Sequence, residues 1–288
     1  MLVIVGAVVV IVAVVGGYAI PGGHLAVLFQ PFEFMIIGGA AIGAFIISNT
    51  KTILSGTGKA IGRAMKGPKH GKASYMELLS LMYQMFKLAR SKGNLAIEKH
   101  IEEPEESELF ANYPAVLHDH HAMMFLCDYL RLLTMGSENP NELETLMDQD
   151  LDTHHHEEEA IAGALRSMSD GLPALGIVAA VLGVIHTMGS ITEPPEILGH
   201  LIGAALVGTF LGVLLSYGFV APLAAALSNI INADSRFYHC MKAGILAHIA
   251  GHPPAISIEF ARKTLPSDVR PGFAELEESF ENLPPVAA

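Results

Sequence analysis

Two apolar runs open the chain. Leu2 to Ile20 carries no charged residue, and a helix needs about 20 such residues to cross the hydrocarbon core of a bilayer, so this run predicts a first crossing. Pro21-Gly22-Gly23 follows as a turn, and Phe32 to Ser48 supplies a second, Gly-rich crossing. Gly171 to Ser190 and Ile197 to Ile231 are the third and fourth; the last is longer than a bilayer requires, which predicts a helix continuing beyond the membrane. Between the two pairs the pattern changes to helical spacing. Tyr75, Leu78, Leu79, Met82, Met85, Phe86 and Ala89 mark one face of a helix closed by Gly93. Further helices are predicted at Ala115 to Met135 and Asn141 to Ser167, neither apolar enough to span. After the fourth crossing, Arg236 to Ala250 reads as an amphipathic helix stopped by Gly251 and Pro253-Pro254, followed by a short helix at Ala255 to Thr264 and a weakly ordered end from Pro266. The pattern predicts an all-α integral membrane protein: four transmembrane helices in two hairpins with a helical cytoplasmic domain. The expected divisions are 1–50 (first two crossings), 51–169 (cytoplasmic helices), 170–231 (last two crossings) and 232–288 (cytoplasmic helices and tail).

Charge sets the orientation. Lys51, Lys59, Arg63, Lys66, Lys69 and Lys72 follow the second crossing, whereas the short turns around Gly22 and Pro194 contain no basic residue. Cytoplasmic loops carry the Lys/Arg excess, so the middle segment and both chain ends are expected in the cytoplasm. The 288 residues are 51% hydrophobic yet include 29 acidic against 17 basic residues, so apolar and charged positions must be segregated. The net charge of −12, with acids concentrated between Glu98 and Glu159, argues against a nucleic-acid partner. A cleaved signal peptide is not expected, because the first run lacks a basic leader and a small-residue cleavage site. Cys127 and Cys240 lie far apart and read as small buried hydrophobes.

Packing signals lie inside the crossings. Ala204, Gly208, Gly212 and Ser216 repeat every four residues and line one helical face with small side chains; Gly176, Ala179, Ala180 and Gly183 do the same in the third crossing, and Gly39 with Gly43 in the second. Such faces let another backbone approach closely, either within one subunit or at a subunit interface. Ionisable residues are nearly absent from the spans, with Glu33 and His186 read as interfacial. If the protein helps to move ions, the titrating carboxylate must come from another chain. Pro173 is expected to open the third crossing, with Asp170 as its cap, since proline is tolerated in a first helical turn. Pro222 falls inside the fourth, where a lost backbone hydrogen bond kinks a helix. Histidines cluster at His118, His120, His121 and His154-His155-His156, the last before Glu157-Glu158-Glu159. No His-Glu-x-x-His occurs, and a metal site is not expected. Neither an enzymatic activity nor a cofactor is expected.

Asp170-Gly-Leu-Pro-Ala-Leu-Gly-Ile-Val-Ala-Ala-Val181 and Ala205-Leu-Val-Gly-Thr-Phe-Leu-Gly-Val-Leu-Leu-Ser-Tyr-Gly-Phe219 closely resemble the MotA family of flagellar motor stator proteins, within the MotA/TolQ/ExbB proton channel superfamily. The likeness extends to Gly16-Gly17-Tyr18, Gln30-Pro31, Arg90 to Phe110, Pro253 to Leu265 and Arg270 to Glu278, nearly the whole chain. It implies a multi-pass protein of the bacterial inner membrane. Five copies would surround a dimer of a MotB-type, single-span, peptidoglycan-binding partner that holds the titrating aspartate. Ion flow would turn the ring and push the rotor's switch-complex protein, driving flagellar rotation in motility and chemotaxis. The resemblance assigns Arg90 and Glu98 to the rotor contact, although each sign also suits its place at a helix end. It assigns Pro173 and Pro222 to the coupling of ion binding to movement. Sodium-driven relatives carry a threonine where this chain has Ala180, leaving Thr209 alone to offer an oxygen, so protons are favoured over sodium. The alternative within the superfamily is an ExbB- or TolQ-like subunit energising outer-membrane transport or envelope maintenance, which usually has three spans.

Overall fold

The computed structural model describes residues 2–136 and 139–284, and among these every regular element is helical. In chain order the elements are α1 (Leu2–Ala19), the single turn α2 (Leu25–Leu28), α3 (Pro31–Ser48), α4 (Lys51–Lys66) and α5 (Lys72–Lys92). A 3₁₀ turn at Asn94–Ile97 leads to short helices α6 (Glu98–Glu102), α7 (Glu108–Ala111) and α8 (Pro114–Leu117), then α9 (His120–Thr134). Two long elements follow: α10 (Pro140–Met188), and α11 (Pro195–Val213) running through a π turn at Leu214–Val220 into α12 (Ala221–Ile249). Helices α13 (Pro254–Lys263) and α14 (Phe273–Glu281) close the described chain. Among the described residues four helical stretches are long and apolar enough to cross a membrane: Leu2–Ala19, Leu25–Ser48, Pro140–Met188 and Pro195–Ile249.

The chain forms two compact units, residues 1–67 with 156–230 and residues 68–155 with 231–288. These divisions differ from the expected ones because the 49-residue α10 and the helix ending at Ile249 each continue through a predicted boundary. The segment after the second crossing also folds as an amphipathic helix, α4, that joins the first unit. Its half-buried side carries Ile53, Leu54, Thr57 and Ile61 while Lys51, Lys59 and Lys66 stay exposed. A Cβ on Gly56 would come 2.8 Å from Ile161 Cδ1, and Arg63 pairs with Glu158.

The second unit owes its core to the predicted stripe. Tyr75, Leu78, Leu79, Met82, Met85, Phe86 and Ala89 are all buried, packed with Phe110, Leu126, Leu130 and Ile258. Helix α5 stops where Gly93 takes φ +91° and donates its N–H to the Ala89 carbonyl, a conformation that costs other residues a steric penalty. The helix predicted at Ala115 to Met135 is broken instead at Asp119, whose side chain caps α9 by accepting the Ala122 N–H. Within residues 266–284 the structure is more regular than expected: α14 starts with the Gly272 N–H donating to Glu275 Oε2 (3.0 Å), buries Leu276 and stacks Phe280 on Tyr83 at 4.0 Å.

Candidate functional site

The third and fourth crossings meet backbone to backbone. A Cβ added to Gly212 would lie 2.7 Å from the Leu172 carbonyl and 2.8 Å from Gly176 Cα; one on Gly176 would lie 2.8 Å from the Gly208 carbonyl. A Cβ on Gly208 would lie 3.0 Å from the Ala180 nitrogen, and one on Gly183 2.7 Å from the Ala205 methyl. The small faces of these two helices are therefore consumed within one chain. A Cβ on Gly39 or Gly43 would meet no atom within 4 Å, so the face of the second crossing stays uncovered in the single chain.

This seam positions the predicted membrane residues. Ala180 lies in it, half-buried, with its backbone against Gly208, and Thr209 follows Gly208 directly, also half-buried. Pro173 does not open a helix: it sits inside continuous α10, so Asp170 is a helical residue and no cap. Its ring cannot donate to the Ser169 carbonyl four residues back. The Ser169 hydroxyl crosses the seam to Ser216, 3.0 Å from its Oγ and 3.2 Å from its carbonyl oxygen. That same Ser216 carbonyl accepts the Ala221 N–H, five residues on, which is the π-helical bond of the turn preceding Pro222. Both prolines thus flank one buried hydrogen-bonded link. Pro222 itself is exposed, and the widened π turn is how the helix accommodates it. The spacing pattern marks Ser216 only as a small residue and does not mark Ser169 at all, because neither is part of a local motif.

Glu33 stands in the first turn of α3, at the start of the second crossing. It shares a helical face with buried Ile37 and Ala41, and its Oε2 is buried without a hydrogen-bond partner. His186 is exposed.

In the second unit Arg90 and Glu98 are both exposed. Arg90 stands in the last turn of α5 and donates through Nη1 to the Gly251 carbonyl at 3.2 Å; Glu98 begins α6. Between them the 3₁₀ turn holds Leu95 at 71% exposure, an apolar tip no periodicity marked. The clustered histidines pack as rings: His121 lies 5.6 Å from His154, and His154 lies 5.3 Å from Tyr238. Among the described residues no three His, Cys, Asp or Glu side chains are grouped to hold a metal ion. Cys127 and Cys240 are both buried, and burial pushes the Cys127 thiol up to about 12, which keeps it protonated.

The family model for the motility protein A N-terminal region matches residues 4–93, and that of the MotA/TolQ/ExbB proton channel family matches 118–238. Motility protein A of Salmonella typhimurium is 47% identical over 278 residues, covering 96% of this chain and 94% of the relative. The chain belongs to the motility protein A family. Motility protein A of Escherichia coli is 46% identical over the same shares, and chemotaxis protein LafT of Vibrio parahaemolyticus is 36% identical over 95% of this chain and 96% of its own. The fold is that of two solved structures. MotAB of C. jejuni superposes with a TM-score of 0.77 at 20% identity, covering 92% of this chain and 96% of that one. The MotAB stator complex of Bacillus subtilis gives 0.74 at 23% identity, with coverages of 92% and 95%. Membership of this proton channel family, with four spanning helices, makes the chain a multi-pass inner-membrane protein of a class that is not a known enzyme class.

Proposed function

We propose that this chain is a stator subunit of the bacterial flagellar motor that works with a MotB-type partner to turn proton flow into torque on the rotor. The observation that carries this reading is the match to motility protein A over 96% of the chain, first two crossings included. An ExbB- or TolQ-like role is disfavoured by that N-terminal match and by the four spanning helices. The partner's membrane-embedded carboxylate binds and releases the proton; the third and fourth crossings supply an apolar wall in which a charged carboxylate is costly and a protonated one is not. Several copies, five by the family resemblance, surround the partner dimer. Ala180 and Thr209 set the lining, and with a methyl at 180 the site offers few oxygens to a dehydrated sodium ion, so protons carry the current. Pro173 and Pro222, joined through Ser169 and Ser216, bend the two crossings as the carboxylate changes charge. The basic residues after α3 support a cytoplasmic location for the α5 to α9 helices and both chain ends. There Arg90 and Glu98 meet complementary charges of the switch-complex protein.

Soft-agar swimming by a strain deleted for this chain, with filaments counted by microscopy, tests the reading. Filaments that are present but paralysed, and that rotate again when the chain is restored from a plasmid, are the expected result. Normal swimming in a strain with no second stator would overturn it.

A further inference from the structure

Residues 49–76 hold six Lys or Arg side chains and no acidic one, on a chain whose net charge is −12. The structure sorts these six into two groups. Arg63 pairs with Glu158, Lys69 reaches Asp119 at 2.6 Å, and Lys72 reaches Glu275 at 2.8 Å. Lys51, Lys59 and Lys66 are exposed, and among the described residues none of them meets a carboxylate within ion-pair distance. All three belong to α4, where at about 3.6 residues per turn their spacing puts them within an arc of about 80°. The other side of the helix is spent inside the first unit. Ile53, Leu54, Thr57 and Ile61 are half-buried there, Ala64 is buried, and a Cβ on Gly56 would press on Ile161.

Position makes this row more than a solvated face. The spanning helix α3 ends at Ser48 and α4 begins at Lys51, with only Asn49 and Thr50 between them. Helix α4 also packs against the spanning helix α1, which holds it beside the bilayer instead of leaving it free. The headgroup layer adds about 5–7 Å to each side of the hydrocarbon core, and Lys51 stands at that level. Its flexible stem lets the ammonium reach the phosphates. Further along α4, Arg63 pairs with Glu158, well ahead of the third crossing at Gly171, so the row recedes from the bilayer towards Lys66. Attraction between such lysines and an anionic surface falls off over about 8 Å, a Debye length. Unpaired ammonium groups at this height call for phosphate, and a headgroup with net negative charge supplies it.

We propose that the Lys51, Lys59 and Lys66 side of α4 is a binding surface for anionic phospholipid headgroups of the leaflet at which the second crossing ends. Lys51 makes the closest contact and Lys66 the most distant. Bound lipid fixes α4 at the bilayer edge, and through Gly56 and Arg63 it fixes the adjoining stretch of α10. The inference rests on the membrane crossings and not on the torque-generating reading.

The test uses the purified complex of this chain with its MotB-type partner. The complex is stripped of lipid in neutral detergent and titrated with phosphatidylglycerol or phosphatidylcholine, and retained lipids are counted by native mass spectrometry. Preferential retention of phosphatidylglycerol is expected. In K51Q/K59Q/K66Q it should fall at least about fivefold, the effect of one lysine at an anionic surface. K87Q/K92Q/K99Q removes the same charge from exposed lysines of the second unit and should lose far less. Among single variants K51Q should lose more than K66Q, and K51R/K59R/K66R, which keeps the charge, should retain lipid as the wild type does. Equal retention by the wild type and K51Q/K59Q/K66Q would overturn the surface, as would equal loss in the two glutamine triples or loss in the arginine triple. So would retention of phosphatidylcholine as strong as that of phosphatidylglycerol. Displacement of the lipid by inorganic phosphate at constant ionic strength would make the ligand a free phosphate and overturn the lipid assignment.

Discussion

Asp119 gathers one local cap bond and two ion pairs that no local pattern announces. Its carboxylate accepts the Ala122 N–H and pairs with Lys69 Nζ at 2.6 Å and His70 Nε2 at 3.1 Å, while His70 stacks on Phe237 at 3.7 Å. Burial by itself would raise the pKa of this group, but the hydrogen bonds from His70 and Lys69 outweigh it and hold Asp119 well below the usual carboxylate range. A depressed folded pKa contributes stability that is fully present above the unfolded value, about 4, and is lost as pH falls from there towards the folded value. Asp119→Ala should therefore destabilise the second unit by about 1–3 kcal/mol at pH 7, through the lost cap and the stranded partners. It should also flatten the acid limb of thermal unfolding followed by circular dichroism; an acid limb as steep as the wild type's would refute the assignment. The exposed charges behave differently. Arg90→Glu should leave membrane insertion intact, since the side chain loses only one surface hydrogen bond to Gly251, and should impair swimming in soft agar. Normal swimming would remove Arg90 from the rotor contact. Arg90 and Glu98 are candidates only because a family resemblance picked them out; the ion pairs of Asp119 have no such signal, because Lys69 and His70 are about 50 residues away in the chain.

At the scale of elements the decisive feature is continuity. Helix α10 runs for 49 residues through Pro173, and the fourth crossing runs through a π turn past Pro222. The sequence marked Pro173 as a helix start and Pro222 as a kink, and only the structure shows Pro173 inside a continuous helix and a buried Ser169–Ser216 hydrogen bond crossing the seam near both prolines. Pro222→Ala restores a donor to this helix and should draw the π turn towards α-helical register, leaving insertion unchanged and reducing swimming. Unchanged swimming would detach the proline from coupling. Glycines separate by the same logic. Gly212→Val places a side chain against the Leu172 carbonyl and Gly176 backbone, which cannot recede, and should cost well over the ~1–3 kcal/mol typical of overpacking, seen as loss of accumulated protein on immunoblots. Gly39→Ala meets nothing within 4 Å and should accumulate normally. Equal accumulation of the two variants would sink the account of the seam.

For the whole molecule, the four spanning helices and the family's proton channel character meet in the question of which ion flows. Ala180→Thr adds one oxygen beside the seam. A dehydrated sodium ion needs several, so motility of this variant should remain independent of sodium when swimming speed is measured across sodium concentrations at constant ionic strength. A speed that rose with sodium would show that position 180 alone sets selectivity.

The sequence by itself determined the four crossings, the all-helical class and the buried stripe of α5, because each rests on hydrophobic periodicity and length, which are properties of neighbouring residues along the chain. Family resemblance added the candidate residues. Tertiary structure alone decided that small faces of the third and fourth crossings close on each other while that of the second stays open, that Pro173 lies within a helix, and that α14 is ordered. Each of these turns on which distant backbone supplies a contact or a hydrogen bond, and no spacing within one segment specifies that choice.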